Sequence, residues 1–183
     1  MPREPIVEEY GIALETGTVR LERMLPGPME QVWAYLTESE KRGKWFASGP
    51  MELRPGGKIE LHFHNSTLAP ADEATPERFQ QYEGMISSGR VVRCEPPHLL
   101  VFNWIEAPGV ESEVTFELAD RDGEVLLVLT HRRLPNRSEM VSVASGWHAH
   151  LGVLIDQLSG REPRQFWSRI ERLEAEYDKR LPA

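Results

Sequence analysis

The feature that most limits how this chain can fold is a succession of alternating apolar and polar stretches, joined by short turns and closed by one long amphipathic helix. In residues 58–64, Ile59, Leu61 and Phe63 share one face while Glu60, His62 and His64 share the other. That two-residue period belongs to a strand buried on one side. Further strand-type stretches cover 82–94, 99–105, 113–118 and 124–132, separated by Pro96-Pro97-His98, Ala107-Pro108-Gly109 and Asp120-Arg121-Asp122-Gly123. Links this short cannot carry a parallel crossover, so the pattern predicts an antiparallel meander. With Met51-Glu52-Leu53 ahead of the turn at Arg54-Pro55-Gly56-Gly57, the run is about six strands long.

From Val141 the period changes. Val143, Ala144, Trp147, Leu151, Leu154, Ile155 and Leu158 recur at three- and four-residue steps, the stripe of a helix lying on a core, and Gly160 is its expected C-cap. Another helix is expected over 163–181, striped by Phe166, Ile170, Leu173 and Tyr177. Upstream, residues 17–25 alternate as a strand that Pro26-Gly27-Pro28 ends. Met29 to Thr37 then puts Met29, Val32, Trp33 and Leu36 at helical spacing, and Ser39 to Phe46 reads as a second short helix that turns Trp45 and Phe46 onto the core. Residues 1–16 read as an irregular lead-in, and 65–81 as a long polar loop of the lid, binding-loop or insertion kind. The expected organisation is a lead-in over 1–16, one α+β domain over 17–160, and a helical extension of it over 161–183.

Charge narrows the partners. The chain has 21 Lys and Arg against 29 Asp and Glu, a net charge of −8. An acidic surface repels phosphate backbones and anionic headgroups, so neither nucleic acid nor a membrane is an expected partner. Cys94 is the only cysteine, which excludes an intrachain disulfide and a cysteine-based zinc site; it reads as a half-buried strand residue. No apolar run approaches a membrane span, and the acidic N-terminal stretch is unlike a signal peptide, so a cytoplasmic location is the expectation.

Several segments resemble a known family. Pro28-Met29-Glu30-Gln31-Val32-Trp33 with Leu36-Thr37 and Trp45, the Arg54-Pro55-Gly56-Gly57 hairpin, Gly89-Arg90-Val91 with Pro96-Pro97, Leu100-Val101-Phe102 and Trp104, the strand Leu127-Val128-Leu129-Thr130-His131, and Gly146-Trp147 with Leu151 occur in an order similar to that of the activator of heat-shock protein 90 ATPase homologue-like group of the SRPBCC (START-like) superfamily. The resemblance spans residues 17–160. It implies a helix-grip fold, in which a curved antiparallel sheet wraps around a long C-terminal helix with an apolar cavity between them. The 65–81 loop and the 161–183 helix depart from short members, and either would cover the cavity or build a homodimer contact.

The implied cavity draws its expected lining from Leu61 and Phe63, Phe102 and Trp104, Phe116, Leu127, Leu129 and His131, and Trp147, Leu151 and Leu154, with Ile59, Val114 and Leu118 on the same faces. Each is first of all a residue of plain core packing. Alternation points His131 inward, either to bond a ligand or move a proton, or to be satisfied by backbone or water. His148 and His150 flank the helix stripe, whereas His62 and His64 lie on a polar strand face with no third ligand at metal spacing. No nucleophile elbow, zinc-helix motif, phosphate loop or dinucleotide fingerprint occurs, and no cofactor is expected. The leading expectation is a protein that binds a small hydrophobic molecule; the alternatives are a modulator of a chaperone ATPase and a cyclase-, aromatase- or hydrolase-type enzyme using the same cavity.

Overall fold

A computed structural model describes residues 7–183; the first six residues of the expected lead-in lie outside it. Seven strands form one antiparallel sheet: β1 (Ile12–Glu15), β2 (Thr18–Pro26), β3 (Lys58–His62), β4 (Ile86–Glu95), β5 (Leu99–Ala107), β6 (Val110–Arg121) and β7 (Glu124–Arg132). Their order is β1-β2-β7-β6-β5-β4-β3. The meander therefore runs from β3 to β7, and β2 adds at the free edge of β7, with Val19 opposite His131 and Leu25 opposite Val125. The connection from β2 to β3 crosses the whole sheet and carries α1 (Met29–Thr37) and α2 (Ser39–Gly43). Three further helices follow: α3 (Glu77–Gln80), α4 (Arg137–Ser159) and α5 (Trp167–Arg180).

The alternation that predicted strands is the one that buries them. Ile59 and Leu61, Leu100 and Phe102, Val114, Phe116 and Leu118, and Val125, Leu127 and Leu129 all face inward and are buried. Each such large apolar side chain contributes about 1.5–3 kcal/mol on leaving water. Register shifts at Val91/Arg93 and Ile105/Ala107 insert extra residues that bend the sheet. Across its inner face lies α4, whose Trp147, Leu151 and Leu154 join the same hydrophobic cluster. Ile170, Leu173 and Tyr177 of α5 are also buried, with α5 packed against α4. This is the helix-grip arrangement of an α+β fold.

Several boundaries differ from expectation, each for a physical reason. Met51 to Leu53 is no strand: Met51 makes only an isolated bridge to Ile59, as Ser48 does to His62. The buried Arg42 guanidinium fixes the loop that leads into this stretch, donating to the carbonyls of Thr37, Ala47 and Gly49 at 3.1, 2.8 and 2.5 Å. Five strands, not six, thus follow the two short helices. The seventh is β1, within the expected lead-in, where Ile12 and Leu14 recur at a two-residue step but are both exposed, so the period there marks no buried face. Helix α2 stops at Gly43, yet Trp45 and Phe46 do turn into the core.

Strand β4 begins at Ile86 rather than residue 82, because α3 and the turns after it take residues 77–85. Helix α4 starts a turn before Val141, where Asn136 caps it through Oδ1 accepting from Glu139 N at 2.9 Å; that turn opens with the polar Arg137, Ser138 and Glu139, and only Met140 at its end joins the core. It ends as expected on Gly160, at φ 64°. The 65–81 segment is less polar in place than in composition, since Leu68 and Ala69 are buried.

Candidate functional site

The sequence of α4 leaves a gap along one side of the helix. Gly146 sits mid-helix, and a Cβ built there meets no heavy atom within 4 Å. The space belongs to a cleft of about 470 Å³ bounded by four parts of the chain. Phe63 and Trp104 form the sheet wall, Ser142, Gly146 and His150 the α4 wall, and Trp167, Ile170 and Glu174 the α5 wall. Asn65 and the stretch from Arg78 to Met85 close the remaining side.

The two segments that depart from a short helix-grip chain are therefore the ones that enclose the cleft, and they are locked to each other. Helix α5 has no N-terminal side-chain cap of its own. Glu73 supplies one from the 65–81 segment, accepting from the amides of Phe166, Trp167 and Ser168 at 2.6, 2.8 and 3.3 Å. A carboxylate there meets unpaired N–H groups and the positive end of the helix. Burial opposes its ionisation, but those amides and the Ser168 hydroxyl prevail and hold its pKa below the ordinary carboxylate value. Arg78 pairs with Glu174 at 2.7 Å and lies 4.2 Å over the Phe79 ring, which stacks on Trp167 at 5.0 Å. An Asp156–Arg164–Glu8 ion network fixes the link between α4 and α5.

Beneath the cleft lies an aromatic floor. Phe63 stacks on Trp104 at 5.7 Å and Trp104 on His131 at 5.9 Å, with Trp147 edge-on to Trp104. His131 Nδ1 accepts from Trp147 Nε1 at 3.0 Å, so its proton is on Nε2 and is donated to Ser112 Oγ at 2.7 Å. Burial lowers its pKa to about 3. His150 Nδ1 lies 2.8 Å from the Trp45 carbonyl, which can only accept; the ring proton is on Nδ1 and Nε2 remains a bare acceptor. Burial, partly offset by that bond, lowers the His150 pKa to about 4. At neutral pH both rings are uncharged and far from the pKa of an efficient proton carrier, so they serve as fixed hydrogen-bonding groups.

Of the eleven side chains expected to line a cavity, Phe63 and Trp104 stand on the cleft wall. Leu61, Phe102, Phe116, Leu127, Leu129, Trp147, Leu151 and Leu154 are buried in the hydrophobic cluster below, and His131 is buried between Trp104, Trp147 and Ser112. His148 faces the other way, with Nδ1 2.8 Å from the Tyr177 hydroxyl. His62 and His64 lie near Glu60 and Glu83, and no cluster of three metal-ligating side chains exists among the described residues.

Periodicity missed Phe79, Gly146, His150 and Trp167 as cleft residues. Each nevertheless carried a signal: an aromatic within a polar loop, a glycine inside a helix, a histidine beside an apolar stripe, and a tryptophan at a helix start.

Comparison with known proteins places this geometry. The family described as "Activator of Hsp90 ATPase homolog 1-like protein" matches residues 26–159. No curated protein matches the chain. Among solved structures, the protein encoded by gene BPP1335 from Bordetella parapertussis is 40% identical, covers 98% of this chain and 97% of its own, and superposes with a TM-score of 0.79. CalU16 from Micromonospora echinospora is 23% identical over 88% of this chain and 83% of its own, with a TM-score of 0.64. EF2215 from Enterococcus faecalis, described as a conserved protein of unknown function, is 16% identical over 93% and 88%, also at 0.64. The last two are similar in fold alone. The family match ends at residue 159, so α5 and its cleft wall lie beyond it.

Proposed function

Because the chain belongs to the activator of Hsp90 ATPase homolog 1-like family, within the SRPBCC superfamily, and such a fold can leave a cavity beside its long helix, we propose that this protein binds a small, largely apolar molecule. The observation that carries the reading is the cleft itself. It is about 470 Å³, within the range of small-molecule sites, and is walled by Phe63, Phe79, Tyr82, Trp104 and Trp167. Aromatic walls offer large rigid contact area at low entropic cost. We take the setting to be cytoplasmic, in keeping with the single cysteine; no helix among the described residues is long and apolar enough to cross a membrane.

The test is titration with N-phenyl-1-naphthylamine, an uncharged apolar fluorophore. Saturable one-to-one binding is expected, and Gly146→Leu, which puts a side chain into the open space over the helix, is expected to abolish it without unfolding the protein. Unsaturable binding, or saturable binding that Gly146→Leu leaves intact, removes the cleft as the site. If the fluorophore does not bind and the protein stimulates a heat-shock-protein ATPase, the chaperone-directed reading takes its place.

A further inference from the structure

Two residues that line the cleft each hold a buried polar atom without a hydrogen-bond partner: Trp167 Nε1 and Asn65 Oδ1. Trp167 is only 3% exposed. An indole N–H can only donate, so it calls for an acceptor. Buried groups of this kind are nearly always paired, and one that is not asks for a missing partner. His150, on the facing α4 wall, presents the opposite need, because its Nδ1 proton is engaged by Trp45 and its Nε2 can only accept. Both rings pack against Phe166, with centroids 5.0 Å (Trp167) and 5.2 Å (His150) from it. An unsatisfied donor and a bare acceptor thus belong to two residues that line the same aromatic cleft.

Charge selects further. Among the described residues, the cation on the cleft wall, Arg78, is already paired with Glu174 at 2.7 Å, with Glu171 at 3.9 Å beyond it. Glu83, also on the wall, accepts from Ser66 N and Oγ. A carboxylate or phosphate entering here would meet two acids and no free cation, and its desolvation would go uncompensated. A hydroxyl is the smallest neutral group that accepts and donates at once.

We propose that the cleft takes a neutral aromatic molecule bearing a hydroxyl group, its oxygen accepting from Trp167 Nε1 and a hydroxyl proton donated to His150 Nε2. This rests on the reading of the cleft as a ligand site and names the chemistry of its occupant. Polar recognition then comes partly from α5, outside the segment that the family shares, so selectivity is a property of this chain's extension rather than of the fold.

Calorimetric titration of the full chain at pH 7 with 2-naphthol, 2-methoxynaphthalene, naphthalene and 2-naphthoate tests it. The methoxy compound can accept but not donate, so the expected order is naphthol, methoxynaphthalene, naphthalene, with naphthoate no tighter than naphthalene. Each step between neutral probes should be about tenfold or somewhat less, the worth of one hydrogen bond. In Trp167→Phe, the naphthol-to-naphthalene affinity ratio should fall about tenfold. The wild-type order stands as a test even if that variant fails to fold. Equal binding of the three neutral probes overturns the inference and leaves the cleft an apolar site whose orphan groups are served by water. Tightest binding of naphthoate overturns it in favour of an anion. Saturable binding of none removes the ligand site itself, and the inference with it.

Discussion

Gly146 stands in the interior of a 23-residue helix with ordinary helical geometry, where alanine would be more stable by about 0.5–1 kcal/mol. Nothing lies within 4 Å of where its Cβ would be, so packing does not require glycine there; the open cleft does. Gly146→Ala is expected to raise unfolding stability by about 0.5–1 kcal/mol in chemical denaturation, and a loss of stability would mean that the helix face is not free. His131 shows how a residue read correctly for direction takes on a different role in place. It points inward as alternation requires, but both ring nitrogens are spent on Ser112 and Trp147. Ligand in the cleft is therefore expected to leave its imidazole NMR signals nearly unmoved, whereas those of His150 should shift; the opposite result would put the site beneath Trp104 rather than above it.

Among elements, the pairing of the 65–81 segment with α5 gives the cleft its outer walls. Glu73 is the clamp, and Glu73→Ala should cost about 1 kcal/mol, as losing a helix cap does. It should also speed amide exchange at Phe166, Trp167 and Ser168, the donors it holds; unchanged exchange at all three would show that packing alone fixes the helix start. The pH sign follows from its depressed pKa. The clamp's contribution is fully present above the ordinary carboxylate value of 4.5 and is lost as pH falls through the lower folded value. Acid should accordingly loosen this contact late. Arg78, by stacking on Phe79 while pairing with Glu174, ties the same two elements at the cleft mouth, though an exposed pair of this kind adds little, about 0–1 kcal/mol.

For the whole molecule, three buried histidines set the response to acid. Burial lowers His131 and His148 to about 3 and His150 to about 4, with the Arg23 and Arg169 charges adding to the effect at His148. The unfolded chain binds these protons near pH 6.5 and the folded one does not, so stability is full above 6.5 and falls as pH drops toward the folded values. The slope approaches roughly 1.4 kcal/mol per pH unit for each histidine. Denaturation midpoints should hence decline steeply between pH 6.5 and 4.5, before Glu73 matters. A flat profile there would mean the rings reach solvent or take up protons in the folded state.

The meander, the long helix and its glycine stop were legible because one-sided burial writes itself into the chain as a period of two or of three to four, as at Ile59-Leu61-Phe63 and Trp147-Leu151-Leu154. The family resemblance was legible for the same reason, since its motifs are core and turn residues placed by that burial. The cap at Asn136 was not, because polar positions leave no apolar period, and β1 was not because its short alternation at Ile12 and Leu14 lies on an exposed edge and marks no buried face. The cleft was not legible either. Periodicity tells which way a side chain faces, but a cavity exists where inward-facing side chains fail to meet, and that depends on the volumes of residues as distant in sequence as Phe63, Phe79, Gly146 and Trp167. Only the tertiary structure brings these four together, because Glu73 reaches across 93 residues to cap α5 and so decides what stands over the gap beside Gly146.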